Sequence, residues 1–344
     1  MSTLPPEYGA LEGKRLLVTG AAGFIGGALL RRLAGYGLDV TGTVLFSHEA
    51  ERLRSEGHRA EVLDLASDRP WDELVAGTDV VLHVAAVFQE VEESAETYDR
   101  VNHQAVLKLA KAAERTGVSR FVHCSTVGVY GSVRQIPATD ETPFNPMDLY
   151  HRTKLAGEQA LLDYSRSLPP GRMTVCVNRP AMVYGPGDLR MLKLFEAILS
   201  GRFRMIGSGE TMAHLGYIED QVDSFLLCAA APAARVHGQA FNIASDEPIT
   251  LNRLVALIAQ RAGVSLPRLH VPVAPVWLAA ALCELACKPF GVRPPLFRRR
   301  VGFFTHDRAF DLRKAREVLG YRWRWSHPDG IAATIDWYRA HGHV

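Results

Sequence analysis

Tyr150 and Lys154 stand four residues apart in the run Tyr150-His151-Arg152-Thr153-Lys154, with the pair Ser125-Thr126 upstream. Residues at i and i+4 share one face of a helix, so this spacing sets an ammonium beside a phenol. A neighbouring cation favours the ionised phenol, which ordinarily titrates near ~10. The spacing therefore predicts a tyrosine able to give and take a proton closer to neutral pH, with Ser125 and Thr126 offering hydroxyls to hold a substrate oxygen. Solvated helix faces carry the same pairs more often than active sites do, so the elements around them decide.

One such element is a glycine-rich turn near the N-terminus. The apolar run Leu16-Leu17-Val18 is followed by Thr19-Gly20-Ala21-Ala22-Gly23-Phe24-Ile25-Gly26 and then by Ala28 to Leu33, which has helical composition. Strand, turn and helix in this order form a dinucleotide-binding signature: the turn lets backbone approach a pyrophosphate and the helix N-terminus offers it free N–H groups. Gly20, Gly23, Phe24, Ile25 and Gly26 are the predicted contacts.

Strand-like segments at 16–18, 39–44, 60–64, 80–83, 120–125 and 174–178 alternate with helical stretches such as 49–56 and 97–115. Alternation of this kind predicts an α/β fold, a Rossmann-type doubly wound parallel sheet. Residues 12–180 are expected to form this domain, with 214–246 returning to it, and 181–213 with 247–344 to form a smaller, interleaved C-terminal substrate lobe. Ligands of such sheets bind beyond the carboxyl ends of the strands. Gly20, Asp64, Ala85, Thr126 and Arg179-Pro180 all fall at such ends.

Composition excludes several classes. The 344 residues are 47% hydrophobic and 22% charged with a net charge of +2, a globular composition without the basic footprint of a nucleic-acid binder. The five cysteines show no CxxC spacing; no metal site is expected, and a reduced, cytoplasmic setting is. The N-terminus, with Pro5, Pro6 and Glu7, does not read as a signal peptide. The apolar stretch 276–287 contains Glu284 and falls short of the roughly 20 residues of a membrane span, which predicts no transmembrane segment there but a buried or interfacial helix.

Further motifs join the glycine turn and the Tyr/Lys pair: Asp64-Leu65, His83-Val84-Ala85-Ala86, Val101-Asn102, Val129-Tyr130-Gly131, Asn178-Arg179-Pro180, Val183-Tyr184-Gly185-Pro186-Gly187-Asp188, Tyr217-Ile218-Glu219-Asp220 and Phe241-Asn242-Ile243. With them the chain resembles the extended short-chain dehydrogenase/reductase family, also called the NAD-dependent epimerase/dehydratase family, over nearly its whole length. The resemblance implies that Thr126 bonds the substrate oxygen, Tyr150 moves its proton and Lys154 holds the nicotinamide ribose. It places Asp64 and Leu65 near the adenine, and Ala85 and Ala86 beside the phosphates and ribose. Asn102, Pro180 and Val183 complete the expected cofactor contacts. A homodimer built on the 97–115 helix and the helix after Tyr150 is also implied.

Departures from the pattern narrow the chemistry. Dehydratases of the family carry an acidic pair after the threonine, where Val127 and Gly128 stand here, so dehydration is not expected. The second strand ends Thr43-Val44-Leu45-Phe46, lacking both the acid that selects NAD and the Arg that selects NADP. Ser47, His48 and Arg52 follow; the cofactor is NAD or NADP, the epimerase reading favouring NAD. Sugar-nucleotide enzymes place a diphosphate-binding Arg near Ala213-His214, which has none. Arg190 and Lys193, with Ser125 and Thr126, are candidate substrate contacts. The C-terminal pattern Pro294-Pro295, Phe310-Asp311, Lys314-Ala315 and Leu319-Gly320-Tyr321 is similar to the 3β-hydroxysteroid dehydrogenase branch. The expected function is a nucleotide-sugar 4-epimerase or ketoreductase acting on a small molecule, with a 3β-hydroxysteroid or sterol dehydrogenase as the alternative and a non-catalytic dinucleotide sensor as the third reading.

Overall fold

Alternating apolar residues of the predicted strands face two separate cores. In the computed structural model, which describes residues 2–88, 93–133, 135–267, 269–290, 292 and 294–344 apart from the side chain of Arg299, Leu16 and Val18 pack on one face of the sheet and Leu17 on the other. Successive strand side chains point to opposite faces, and both faces are covered by helices, so apart from their first residues and the edge strand Arg59–Val62 the strands are buried along nearly their whole length.

The elements in chain order are β1 (Arg15–Thr19), α1 (Phe24–Gly35), β2 (Asp39–Val44), α2 (Ser47–Ser55), β3 (Arg59–Val62), β4 (Val80–His83), α3 (Ala105–Arg115), β5 (Arg120–Cys124), α4 (Leu149–Ser167), β6 (Thr174–Pro180), α5 (Ile218–Ala230) and β7 (Gln239–Ile243). The strands form a parallel sheet in the order β7-β6-β5-β4-β1-β2-β3. Chain order reverses between β1 and β4, which opens a crevice at the carboxyl ends of these two strands. Leu29 of α1 and Phe225 of α5 fill one core, and Leu109 of α3 and Leu161 of α4 the other.

The predicted 97–115 helix is interrupted. It begins as Ala95–Asp99, widens into a π turn at Arg100–Gln104 and resumes as α3. The widened turn meets α4 where Gly157 leaves no room for a side chain, since a Cβ there would lie 2.2 Å from the Asn102 carbonyl oxygen. Predicted strand 60–64 ends at Val62, although the Leu63 N–H still donates to the Val44 carbonyl at 2.8 Å.

Beyond β6 the chain builds a third core from Tyr184, Phe195, Leu215, Leu254, Ile331 and Tyr338. Short strand pairs join Met182–Tyr184 to Leu215–Tyr217 and Met205–Ile206 to His270–Val271.

The apolar stretch expected to be buried or interfacial is not buried. It forms α6 (Val273–Cys287), in which Ala280 is the one buried residue, and α7 (Arg298–Gly302) packs beside it. With the turn that follows, Val273–Phe290 spans 18 residues at a mean hydropathy of 1.4, long and apolar enough by length and composition to cross a membrane, and only 6% of it is buried. Apolarity here runs around the whole helix, while the body covers little of it. Cys124, Cys176 and Cys228 are buried, whereas Cys283 and Cys287 on α6 are half-buried, and all five thiols are free.

Candidate active site

The glycine turn folds into a cradle without side chains. Gly20 has φ +71°, a conformation costly to residues with a Cβ, and a Cβ on it would lie 2.8 Å from the Ala85 Cα. A Cβ on Gly26 would lie 2.2 Å from the Gly20 carbonyl oxygen. Thr19 Oγ1 accepts hydrogen bonds from the N–H groups of Val84 (3.0 Å) and Ala85 (3.1 Å), which ties the turn after β1 to the loop after β4. Gly23 caps α1 with no side chain on the first N–H groups and no acid in the first turn, leaving them to an anion. These features fit a dinucleotide pyrophosphate. Gly26→Ala is expected to cost about 1–3 kcal/mol through overpacking. A fluorescence titration should then show the dinucleotide Kd rising about tenfold or more.

Thr126 follows the end of β5, and Tyr150 and Lys154 occupy the first turns of α4. The Thr126 hydroxyl accepts the Gly128 N–H at 3.0 Å, so its own proton remains available to donate to a substrate oxygen. Tyr150 is held edge-on by the rings of Phe88 (5.3 Å between centroids) and His151 (5.1 Å). Lys154 is 1% exposed, and among the described residues its ammonium has no hydrogen-bond or ion-pair partner. A buried ammonium in that state suits the hydroxyls of a bound ribose. Ser125 Oγ is buried and unpartnered among the described residues.

The electrostatics differ from the sequence expectation. Burial holds the Tyr150 phenol above its ordinary range, the Cys124 thiol adds to this, and Arg190 is the cation that opposes it. Burial also pulls the Lys154 ammonium down, against Cys124 and Glu158. Desolvation outweighs the i,i+4 attraction, so the phenol stands protonated.

Sequence reasoning missed Glu158, although it continues the stripe of Tyr150 and Lys154 by one more turn. Arg179 on β6 donates from Nε to both Glu158 carboxylate oxygens at 3.1 Å, and its Nη2 forms a further close contact. Arg179 Nη1 donates to the Tyr130 hydroxyl at 2.8 Å. The pair is almost wholly buried and pins the helix carrying Tyr150 to the sheet.

Other expected residues lie as follows. Asn102, an expected cofactor contact, is fully buried and spends its amide internally. It donates to the Val87 carbonyl and accepts the Val87 N–H, both at 2.9 Å, and reaches Thr153. It therefore holds the loop bearing Ala85 and Ala86. Asp64 is exposed at the end of β3, capping the Ala66 N–H at 2.8 Å, with Leu65 buried beside it. Pro180 ends β6 opposite Ile243. Arg190 pairs with buried Asp188 at 2.7 Å, donates to the Val183 carbonyl and lies over the rings of Phe24 (5.0 Å) and Phe88 (5.6 Å). It thus bridges the glycine turn and the wall of Tyr150. Lys193 stands exposed on the helix Leu192–Leu199. At the end of β2, His48 stacks on Phe46 and Arg52 pairs with Glu56.

Residues 16–244 match the sequence profile of the NAD dependent epimerase/dehydratase family. The chain belongs to that family. A UDP-glucose 4-epimerase of Mycolicibacterium smegmatis is 31% identical, over 94% of this chain and 98% of its own. A 3 beta-hydroxysteroid dehydrogenase/Delta 5-->4-isomerase of Mycobacterium tuberculosis is 29% identical, over 94% and 90%. The crystal structure of UDP-glucuronic acid 4-epimerase from Bacillus cereus in complex with NAD shares the fold, with a TM-score of 0.75 at 21% identity over 95% and 99% of the two chains.

Two positions of this epimerase/dehydratase family member, Gly128 and His214, stand where the sequence departs from the expected sugar-nucleotide and dehydratase patterns. A Cβ on Gly128 would lie 2.1 Å from His151 Nε2, so an acid there would require the imidazole to move. His214 is buried, stacked on Phe310, with Nε2 at 2.9 Å from the Ser245 carbonyl and Nδ1 accepting the Phe310 N–H at 3.1 Å. Both ring nitrogens are spent, and burial pushes the imidazole down to about 4 from 6.5. Between these values the unfolded chain binds the extra proton, so the contribution of His214 to stability is present above pH 6.5 and lost as pH falls through 4. Asp220, pushed up by burial to about 6, has the opposite slope, so comparison with a variant isolates the histidine. His214→Gln can keep both bonds and should make the slope of urea-derived stability against pH over that window more negative by about 1.4 kcal/mol per pH unit.

Proposed function

We propose that the protein is an NAD(P)-dependent oxidoreductase interconverting a secondary alcohol and a ketone on an apolar, steroid-like substrate. The reading rests on Tyr150 and Lys154, which both lie near Cys124 at the end of β5, two residues before Thr126, and on Phe88 and Arg190, which link Tyr150 to Phe24 of the glycine turn. In the reducing direction the Thr126 hydroxyl donates to the ketone oxygen and Tyr150 transfers its phenolic proton to that oxygen; oxidation reverses the transfer. Lys154 orients the cofactor ribose, and Arg190, over the Phe24 ring beside the glycine turn, offers its charge to the substrate. A bound nicotinamide supplies or accepts the hydride.

The apolar substrate class is supported by His214, whose nitrogens are both occupied where sugar-nucleotide enzymes keep a diphosphate ligand, and by the C-terminal motifs similar to the 3β-hydroxysteroid dehydrogenase branch. A nucleotide-sugar 4-epimerase is the second reading, favoured by the 31% identical UDP-glucose enzyme. NADH formation from NAD and a panel of 3β-hydroxysteroids separates them. Net turnover is expected; conversion of UDP-glucose without net NADH would replace the proposal with the epimerase. Dinucleotide binding with no turnover of either class would leave a sensor.

A further inference from the structure

We propose that α6 docks the protein on a membrane surface, lying in the boundary between headgroups and acyl chains of a leaflet that carries anionic lipid. A helix apolar around its whole circumference is ordinarily covered on all sides. Here Trp277, Leu278, Leu282 and Leu285, with Phe290 and Val292 beyond them, are 48–79% exposed. A continuous apolar surface of this kind is an interaction site.

Geometry selects lying over spanning. Although Val273–Phe290 has the length and composition of a span, its α-helical part is 15 residues, about 22 Å at the α-helical rise, against a hydrocarbon core of roughly 30 Å. Its N-terminal end follows the strand His270–Val271, which pairs with Met205–Ile206. Near its other end Glu284 accepts from the Arg298 backbone N–H at 2.7 Å and from its Nε at 2.8 Å. Both ends are tethered to one lobe. The same ion pair compensates the single charge of α6, which eases its approach to hydrocarbon.

Charge selects the occupant. Residues 288–300 contain Lys288, Arg293, Arg298, Arg299 and Arg300 and no acid. The Arg298 guanidinium lies 5.6 Å from the Trp277 ring centroid, and that of Arg300 lies 4.8 Å from Phe297. Cations and aromatic rings bordering an apolar helix suit an anionic interface, where long basic side chains reach the headgroups. A second copy docked through this helix by two-fold symmetry would bring the same basic segment against itself.

Flotation of the full chain with vesicles tests the proposal without substrate or cofactor, so its failure leaves the redox reading untouched, and the converse. The protein is expected to float with vesicles of phosphatidylcholine containing phosphatidylglycerol and to bind phosphatidylcholine alone more weakly. The double substitution Leu282→Glu/Leu285→Glu, at exposed positions, should lower partitioning by about tenfold or more with melting temperature unchanged. Absence of vesicle binding, equal binding to neutral vesicles, or partitioning unaffected by the substitutions would overturn it. So would a dimer in analytical ultracentrifugation that the same substitutions split, which would assign α6 to a second copy.

Discussion

Replacing Tyr150 by Phe is expected to lower kcat/KM for the alcohol or ketone by about 10²–10⁴-fold, the range that a positioned proton donor contributes. The substitution deletes one hydroxyl and keeps the ring that packs between Phe88 and His151. Dinucleotide affinity and the unfolding midpoint should therefore stay near those of the unsubstituted protein, which separates loss of chemistry from loss of structure. Steady-state kinetics with a substrate identified as above decide it. A variant retaining a substantial part of the activity would remove Tyr150 from proton transfer and reopen the sensor reading. The raised phenol bears on the reducing direction, in which Tyr150 rests with its proton and gives it to the oxygen as charge develops there.

Arg179→Met should produce the largest change in stability. It leaves the Glu158 carboxylate, 1% exposed at its side chain, without its cation, and stranding one member of a buried pair costs about 3–5 kcal/mol. Urea unfolding measures this directly. Replacing both partners, Arg179→Met with Glu158→Leu, should recover much of the loss, because no charge then remains in the interior. If the double variant is as unstable as the single one, packing rather than charge holds this position. The single variant should also lose activity beyond its loss of stability, since Glu158 lies on the same stripe of α4 as Tyr150 and Lys154 and fixes that stripe on β6.

Much of the architecture was legible because it depends on local patterns. The segments 39–44 and 80–83 are strands at those bounds, since short apolar runs between turn residues have few other places to go in an alternating chain. The π turn at Arg100–Gln104 was not legible. It answers to the bonds that the Asn102 amide makes with Val87 and Thr153 and to the close approach of Gly157, and these partners come from elsewhere in the chain. His214 was noticed only as a missing arginine; that its nitrogens are consumed by Ser245 and Phe310 requires the return of segments 31 and 96 residues away.

By itself the sequence determined the chemistry-bearing residues and their local spacing: the glycine turn after β1, the hydroxyl of Thr126 after β5, and the phenol and ammonium one helical turn apart. Spacing along one element is a property of the chain alone. Only the tertiary structure decided the state of those groups and what surrounds them: a Tyr150 phenol held protonated, an Arg179–Glu158 pair sealed between helix and sheet, and an apolar α6 left facing outward. Burial, desolvation and ion pairing depend on which distant segments arrive at a site, and strand order and lobe packing bring them there.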